Sequence, residues 1–238
     1  MHLMCNAKSL IMVSAWSNNH QLVLGQVAVK QKSNEIKAIP VLLERALERT
    51  DIAKSNGESP EAIDLEGAII TTDAMGTQTA IAQQIQDSSA DYILTLKANH
   101  PILAENARDW FKRHQHKADE TKVHTTELIC EAGHHRIEKR RFFAVRAEQV
   151  FDPRRIQQWA GLQTLIVEQS SRQLWNKTTH STRFFLSSLA ADFAHFPDSI
   201  RSAMPLASDC ALRSTGRIRA RGSREPVTLV SGCNFCRR

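Results

Sequence analysis

Residues 67–99 read GAIITTDAMGTQTAIAQQIQDSSADYILTLKAN. The run opens on a buried-strand pattern, Ala68 to Thr72, that ends on a carboxylate, Asp73. Met75-Gly76 turns the chain, and Thr77 to Ser88 has helical spacing, with Ile81 and Ile85 one turn apart. A second strand follows from Tyr92 to Leu96, with Lys97 and Asn99 at its exit. This is a strand–helix–strand unit of the length a parallel crossover needs. Open α/β sheets bind ligands beyond the carboxyl ends of their strands, where both Asp73 and Lys97 are placed. A carboxylate able to hold a divalent metal beside a cation able to hold a phosphate points to phosphodiester chemistry. The plainer alternative is that Asp73 caps the helix after it, as aspartate often does.

Upstream, Leu10 to Trp16 and Leu22 to Val29 are apolar, β-branched runs separated by Ser17-Asn18-Asn19-His20, which predicts an antiparallel hairpin. Pro40 fits the first turn of a helix running to about Glu48, and residues 49–66, broken by Gly57 and Pro60, read as a loop. Downstream, Pro101 starts a helix, PILAENARDWFKRH, with Ile102, Leu103, Trp110 and Phe111 as candidates to pack on the sheet. The order up to residue 115 predicts a mixed sheet covered by helices.

Beyond Gln115 short strands take over, at Thr125–Cys130, Arg141–Arg146, Gln163–Glu168 and Thr182–Leu189. Among them lies GHHRIEKRR, Gly133 to Arg141, the densest basic and histidine cluster in the body of the chain. From charge alone it is either a solvated turn or a clamp on a phosphate backbone. After Arg201 no period of two or 3.6 persists, while Arg, Ser and Gly accumulate. That stretch reads as a disordered segment, a basic nucleic-acid arm, or a segment read in a shifted frame.

Composition narrows the class. With 238 residues, 42% apolar and 24% charged, the chain can build one or two ordinary globular cores. No apolar run approaches the roughly 18 residues of a membrane helix. The N-terminal residues carry no signal-peptide cleavage pattern, so a cytoplasmic location is expected. The five cysteines, at 5, 130, 210, 233 and 236, are too scattered for a disulfide framework, and Cys233/Cys236 lack a second ligand pair for zinc. Net charge is +6; from Ala203 onward seven Arg face only Asp209 and Glu225, so +5 lies there and +1 in the first 202 residues. A polyanionic partner is permitted and not demanded.

The segments IMVSAW, LVLGQVAVKQKSNEIKAIPVLL, GAIITTDAMG, IAQQI, ADYILTLKANHP, GHHRIEKRRFF, WAGLQTLI and TRFFLSSL, in this order, resemble the H-repeat-associated transposases of bacterial insertion sequences. The resemblance covers about residues 10–201. It implies a ribonuclease-H-like core with a DDE site, in which two Asp and one Glu hold two Mg²⁺ (or Mn²⁺) ions that activate the attacking oxygen and stabilise the leaving one. By the resemblance Asp73 is the second acid of that triad and a metal ligand. Lys97 lies where the family has a lysine beyond the next strand. His135, Arg136, Glu138 and Arg140 fall on the family's basic segment; His135, Arg136 and Arg140 are taken as DNA contacts, and Glu138 has no assigned role. The implied partners are insertion-sequence DNA ends, an intact transposase or a second copy, with no membrane.

The resemblance also implies what to look for and not find. The first acid belongs to an Asp-Gly-Lys segment on a strand before IMVSAW, and His2 to Ser9 hold no Asp or Glu. The third belongs to a His-Trp-x-x-Glu-Asn helix after DSIRS, where this chain continues into AMPLASDCALRS. The expected architecture is therefore α/β: an incomplete ribonuclease-H-like mixed sheet with flanking helices (1–115), a β-rich insertion (116–201) and an irregular basic tail (202–238). With one acid of three, the expected product is a catalytically inactive transposase fragment, or a non-enzymatic DNA-binding remnant that interferes with an intact transposase. An empty place for the first, central strand would expose unpaired N–H and C=O groups, which predicts low stability and aggregation.

Overall fold

The computed structural model describes residues 11–17, 22–29, 37–44, 65–115, 124–133, 136–192, 199–200 and 226–234. Strands β1 (Ile11–Ser17) and β2 (Leu22–Val29) form the predicted antiparallel pair, Ile11 opposite Val29, with a bulge between Ala15 and Trp16. Helical residues 37–44 (α1) follow. Residue 37 is already helical, and Pro40 is the fourth described helical residue. Pro40 remains within the first four described helical residues, where a missing N–H need cost no bond. Most of the predicted loop at 49–66 lies outside the described residues.

The strand–helix–strand unit is present as β3 (Ile69–Thr72), α2 (Thr79–Asp87) and β4 (Asp91–Leu96), with β3 parallel to β4 and Thr72 opposite Leu94. Helix α3 spans Pro101–His114. Strands β5 (His124–Gly133), β6 (Arg136–Arg146), β7 (Thr164–Leu174) and β8 (Lys177–Ser187) form an antiparallel run, with a short helix α4 (Pro153–Ile156) between β6 and β7. Strands β6, β7 and β8 are longer than the apolar stretches that predict them, because each continues through polar residues at its outer end. No helix among the described residues is long and apolar enough to cross a membrane.

All nine strands among the described residues belong to one mixed sheet in the order β2–β1–β9–β3–β4–β8–β7–β6–β5. The β-rich part extends the same sheet through the β4–β8 pair, where Ile93 faces Ser187. Buried hydroxyls fasten that junction: Ser187 Oγ donates to Tyr92 O at 2.9 Å, and Tyr92 N donates to Ser188 Oγ at 2.9 Å. The Tyr92 hydroxyl is itself buried and donates to Ala160 O at 2.9 Å; burial, then the charge of Asp91, pushes its pKa above the ordinary phenol range.

The ninth strand corrects two expectations. Pro226–Asn234, within the stretch read as an irregular tail, is strand β9, and it lies between β1 and β3. It runs antiparallel to β1 and parallel to β3. The central place expected to stand empty is therefore filled, and the backbone groups of β1 and β3 that face it are paired. Local pattern did not announce this strand, because its partners lie more than 150 residues away in the chain.

Two apolar clusters cover the two faces. On one, Ile39, Leu42 and Leu43 of α1, Ile81 and Ile85 of α2, and Leu103, Trp110 and Phe111 of α3 pack with Ile70, Tyr92, Leu94, Phe143 and Phe184 of the sheet. On the other, Ile69, Ile93, Phe142, Ile166 and Phe185 meet Leu189 and Ile200. Successive residues such as Ile69 and Ile70 serve opposite faces, which is why β3 reads as an unbroken apolar run. Each fully buried side chain of this size contributes about 1.5–3 kcal/mol. Ile102, expected to pack inward, is 47% exposed; Ala104 and Ala107 take the inward positions.

Candidate functional site

Asp73 directly follows the last residue of β3 and is exposed. Its Oδ1 accepts from the backbone N–H of Met75 at 3.1 Å and of Gly76 at 3.3 Å. The carboxylate thus closes its own turn. It does not cap α2, whose N-cap is Gln78. Gly76 is required in that turn by close approach: a Cβ there would lie 2.8 Å from Thr72 Cβ and 2.9 Å from Ile39 Cδ1.

The exit of β4 grips the same turn. Thr77 is fully buried, and its Oγ1 donates to Thr95 O at 2.7 Å, while Thr95 Oγ1 donates to Thr72 O at 3.0 Å. Asn99 Nδ2 donates to Ala74 O at 2.7 Å. The ring of His100 reaches Thr77 O at 2.7 Å through Nε2, which carries the proton because a carbonyl can only accept. His100 is in turn set edge-on against Trp159, ring centroids 5.1 Å apart. The TTDAMG and LKANHP segments are therefore one rigid assembly of side chains and carbonyls.

Lys97 follows the last residue of β4 and is exposed at the same end of the sheet as Asp73. Continuing the β3–β4 register, Asp73 is level with Thr95, and Lys97 stands two residues further out. On the other side of Asp73 runs β9. Leu229 is opposite Thr72, so Val230 is level with Asp73, and Val230 faces Ser14 on β1. The sequence of β9, PVTLVSGCN, contains no Asp or Glu. Among the described residues no three His, Cys, Asp or Glu side chains come together as metal ligands. A pair of Mg²⁺ ions, each demanding an oxygen shell, does not fit a donor set built on one carboxylate that is already accepting two backbone N–H groups.

The basic segment divides. His135 lies outside the described residues. Arg136 begins β6, its backbone opposite Gly133 and Leu174. Gly133 and Arg136–Arg141 of the segment are strand residues, and 134–135 lie outside the described residues. Arg140, 14% exposed, turns its guanidinium inward: Nη2 is 2.8 Å from Glu138 Oε1, and Nη1 is 3.3 Å from Glu168 Oε1. Arg183 Nε approaches Glu168 Oε2 at 3.3 Å. Glu168 is 1% exposed, and burial pushes its pKa above the ordinary carboxylate value against the opposing pull of Arg183 and Arg140. The same burial lowers the pKa of Arg183. Glu138, which the sequence left without a role, is a partner in this cluster.

The residues that sequence reading missed are Thr77, His100 and Glu168. Thr77 sits in the quoted stretch, but a threonine at a turn carries no mark of the distant carbonyl it will reach. His100 precedes a helix proline and reads as a linker. Glu168 lies at the end of an apolar run, TLIVE, where strand alternation places it inward with Ile166.

A family model described as the transposase DDE domain matches residues 6–189. The chain is 32% identical over 185 residues to an uncharacterised protein in the dhlA 3′ region of Xanthobacter autotrophicus, covering 78% of this chain and 55% of that one. It is 34% identical over 194 residues to "Putative transposase YncI" of Escherichia coli O157:H7, covering 80% and 44%. It is 31% identical over 195 residues to "H repeat-associated putative transposase YhhI" of Escherichia coli strain K12, covering 80% and 46%. The chain thus spans about half the length of the curated relatives it matches. No solved structure matches significantly.

Proposed function

Because the chain belongs to the transposase DDE-domain family, we propose that it is a DNA-binding transposase relative that does not complete a cutting centre by itself. The observation that carries this reading is the pairing around Asp73. In the fold the resemblance implies, the strand between β1 and β3 brings a second carboxylate beside the Asp73 position. Here that strand is β9, with Val230 at the level of Asp73 and no acid along its length. Asp73, read by the resemblance as the family's second acid, is exposed at a strand tip and held by a rigid turn, which supports that reading. Divalent metal would supply the family's activation of an attacking oxygen, and one carboxylate does not build that centre. Where catalytic groups act as a unit, losing one costs on the order of 10⁴–10⁶ in rate.

DNA contact is assigned to the exposed end of the sheet, with Lys97 beside the Asp73 turn, and to Arg136 at the start of β6; His135, outside the described residues, keeps the same assignment from its sequence alone. Arg140 is given a structural role instead, since its guanidinium is committed to Glu138 and Glu168. A protein that occupies insertion-sequence ends without cutting them would interfere with an intact transposase, by competing for the ends or by pairing with it. The test is retardation of DNA carrying such ends across a salt series, with nicking scored in the same reactions with Mg²⁺. Binding that weakens linearly in log–log form with salt, without nicks, is the expected result. Failure to retard any DNA at low salt would remove the proposal.

A further inference from the structure

Strand β4 ends at Leu96, opposite Phe184 of β8, so residues 177–183 of β8 run on past the end of β4. The register carries the neighbouring strands with them. Val167 is opposite Phe184 and Phe143 is opposite Val167, so 168–174 of β7 and 136–142 of β6 project equally. Seven residues of strand make an arm of about 20 Å. It stands at the same end of the sheet as Asp73 and Lys97, which follow the last residues of β3 and β4. We propose that one face of this arm is a contact surface for the phosphate backbone of duplex DNA on its way to the Asp73 end. The inference rests on the DNA-binding reading and gives it a second surface, outside the sheet end already assigned.

Strand alternation gives the arm two faces of different charge. The face continuous with Phe142, Ile166 and Phe185 carries Arg140, Arg172, Lys177 and Arg183, against the carboxylates Glu138 and Glu168. Both carboxylates are engaged from within: Arg140 reaches Glu138 at 2.8 Å and Glu168 at 3.3 Å, and Arg183 reaches Glu168 at 3.3 Å. Arg172 is opposite Glu138 in the register, but it and Lys177 are exposed and add positive charge beyond what the two acids balance. Lys97 joins this side. One residue beyond the Leu96–Phe184 pair, the register sets it level with Arg183. The other face, continuous with Phe143, Val167 and Phe184, carries Arg141, Lys139 and His180. There Glu127 of β5 stands opposite Arg141, which leaves less surplus charge.

Like charges on neighbouring strands repel, so cations gathered on one face favour an anion laid across them. A DNA duplex offers one negative charge for about every 1.7 Å of its axis, repeated along the whole arm. Width decides how the two meet. With β5 paired to β6, the arm is four strands across, about 14 Å, whereas the major groove is about 12 Å wide and takes a two-stranded ribbon. The arm therefore lies along the backbone and does not enter the groove, and its contribution is independent of base sequence.

The two faces supply their own control in the full chain. Arg172→Ala with Lys177→Ala, and Lys139→Ala with Arg141→Ala, remove the same net charge from opposite faces. Retardation is measured over a salt series on a duplex carrying insertion-sequence ends and on a scrambled duplex of equal length. The first pair is expected to lower the slope of log affinity against log salt by about two on both duplexes, and the second to leave it unchanged. Equal losses from both pairs, or a loss confined to the end-carrying duplex, overturn the proposal. No loss from the first pair, with the parent still retarding DNA, overturns it and leaves the DNA-binding reading standing. A parent that retards neither duplex removes both. Lysine acetylation of the unsubstituted protein gives a readout free of any folding defect. Bound DNA should shield Lys177 and leave Lys139 reactive, and a Lys177 equally reactive with and without bound DNA overturns the proposal.

Discussion

His100 donates its Nε2 proton to the carbonyl oxygen of Thr77 across 2.7 Å, and so ties the residue before α3 to the turn that carries Asp73. The bond spans 23 residues of sequence and is the shorter of the two that this carbonyl accepts, the other coming from Asn99 Nδ2 at 3.5 Å. His100→Ala removes it, together with the edge contact to Trp159. The expected loss is about 1–2 kcal/mol, read by urea unfolding, with faster hydrogen exchange confined to 74–78.

Gly76→Ala attacks the same turn from the other side. The new methyl would lie 2.8 Å from Thr72 Cβ, so either β3 or the turn must move. A destabilisation of about 1–3 kcal/mol is expected from such overpacking. A melt unchanged from that of the parent would show that the turn is looser than described.

The buried cluster around Glu168 gives a pH dependence of definite sign. Burial raises the Glu168 pKa in the folded chain above its unfolded value. Its stabilising contribution is therefore complete below the ordinary carboxylate pKa and is lost as pH rises through the raised one. Glu168→Gln does not titrate there. Unfolding curves over a pH series should show Glu168→Gln gaining on the parent as pH rises, and a gain on lowering pH would contradict the assignment.

Arg140 and Lys97 separate fold from contact. Arg140→Ala leaves Glu168 facing Arg183 alone, so it should lower stability by about 1–3 kcal/mol, the cost of losing one charged partner of a buried group that keeps another. Lys97→Ala should leave the melt unchanged and reduce the slope of log affinity against log salt by about one. The reverse pattern would move the DNA contact from the sheet end to the hairpin.

Much of this was readable beforehand, for identifiable reasons. β3, α2, β4 and α3 are local: apolar spacing, a Met-Gly turn and a helix-starting proline each decide a few neighbouring residues, and the elements appear where those signals stand. β9 was not readable, because PVTLVSGCN is short and its state is set by strands at 11–17 and 69–72. The pairing of Arg140 was not readable for a related reason. Charge shows that a side chain is cationic, whereas strand alternation and a partner 28 residues on decide that it points inward to Glu168.

A carboxylate can also be introduced beside Asp73. Val230→Asp places a carboxylate at the level of Asp73 on the neighbouring strand. Mn²⁺ binding, followed by electron paramagnetic resonance, should appear in Val230→Asp and vanish when Asp73→Asn is added. No gain of binding would show that the two positions do not face one site.

The most direct measurement is DNA nicking and strand transfer by the purified chain, with Mg²⁺ or Mn²⁺, on DNA carrying insertion-sequence ends. No product above background, from parent and Asp73→Asn protein alike, is the predicted result. Cleavage by the parent that Asp73→Asn abolishes would mean that a complete set of acids assembles around that strand tip, and would contradict the account.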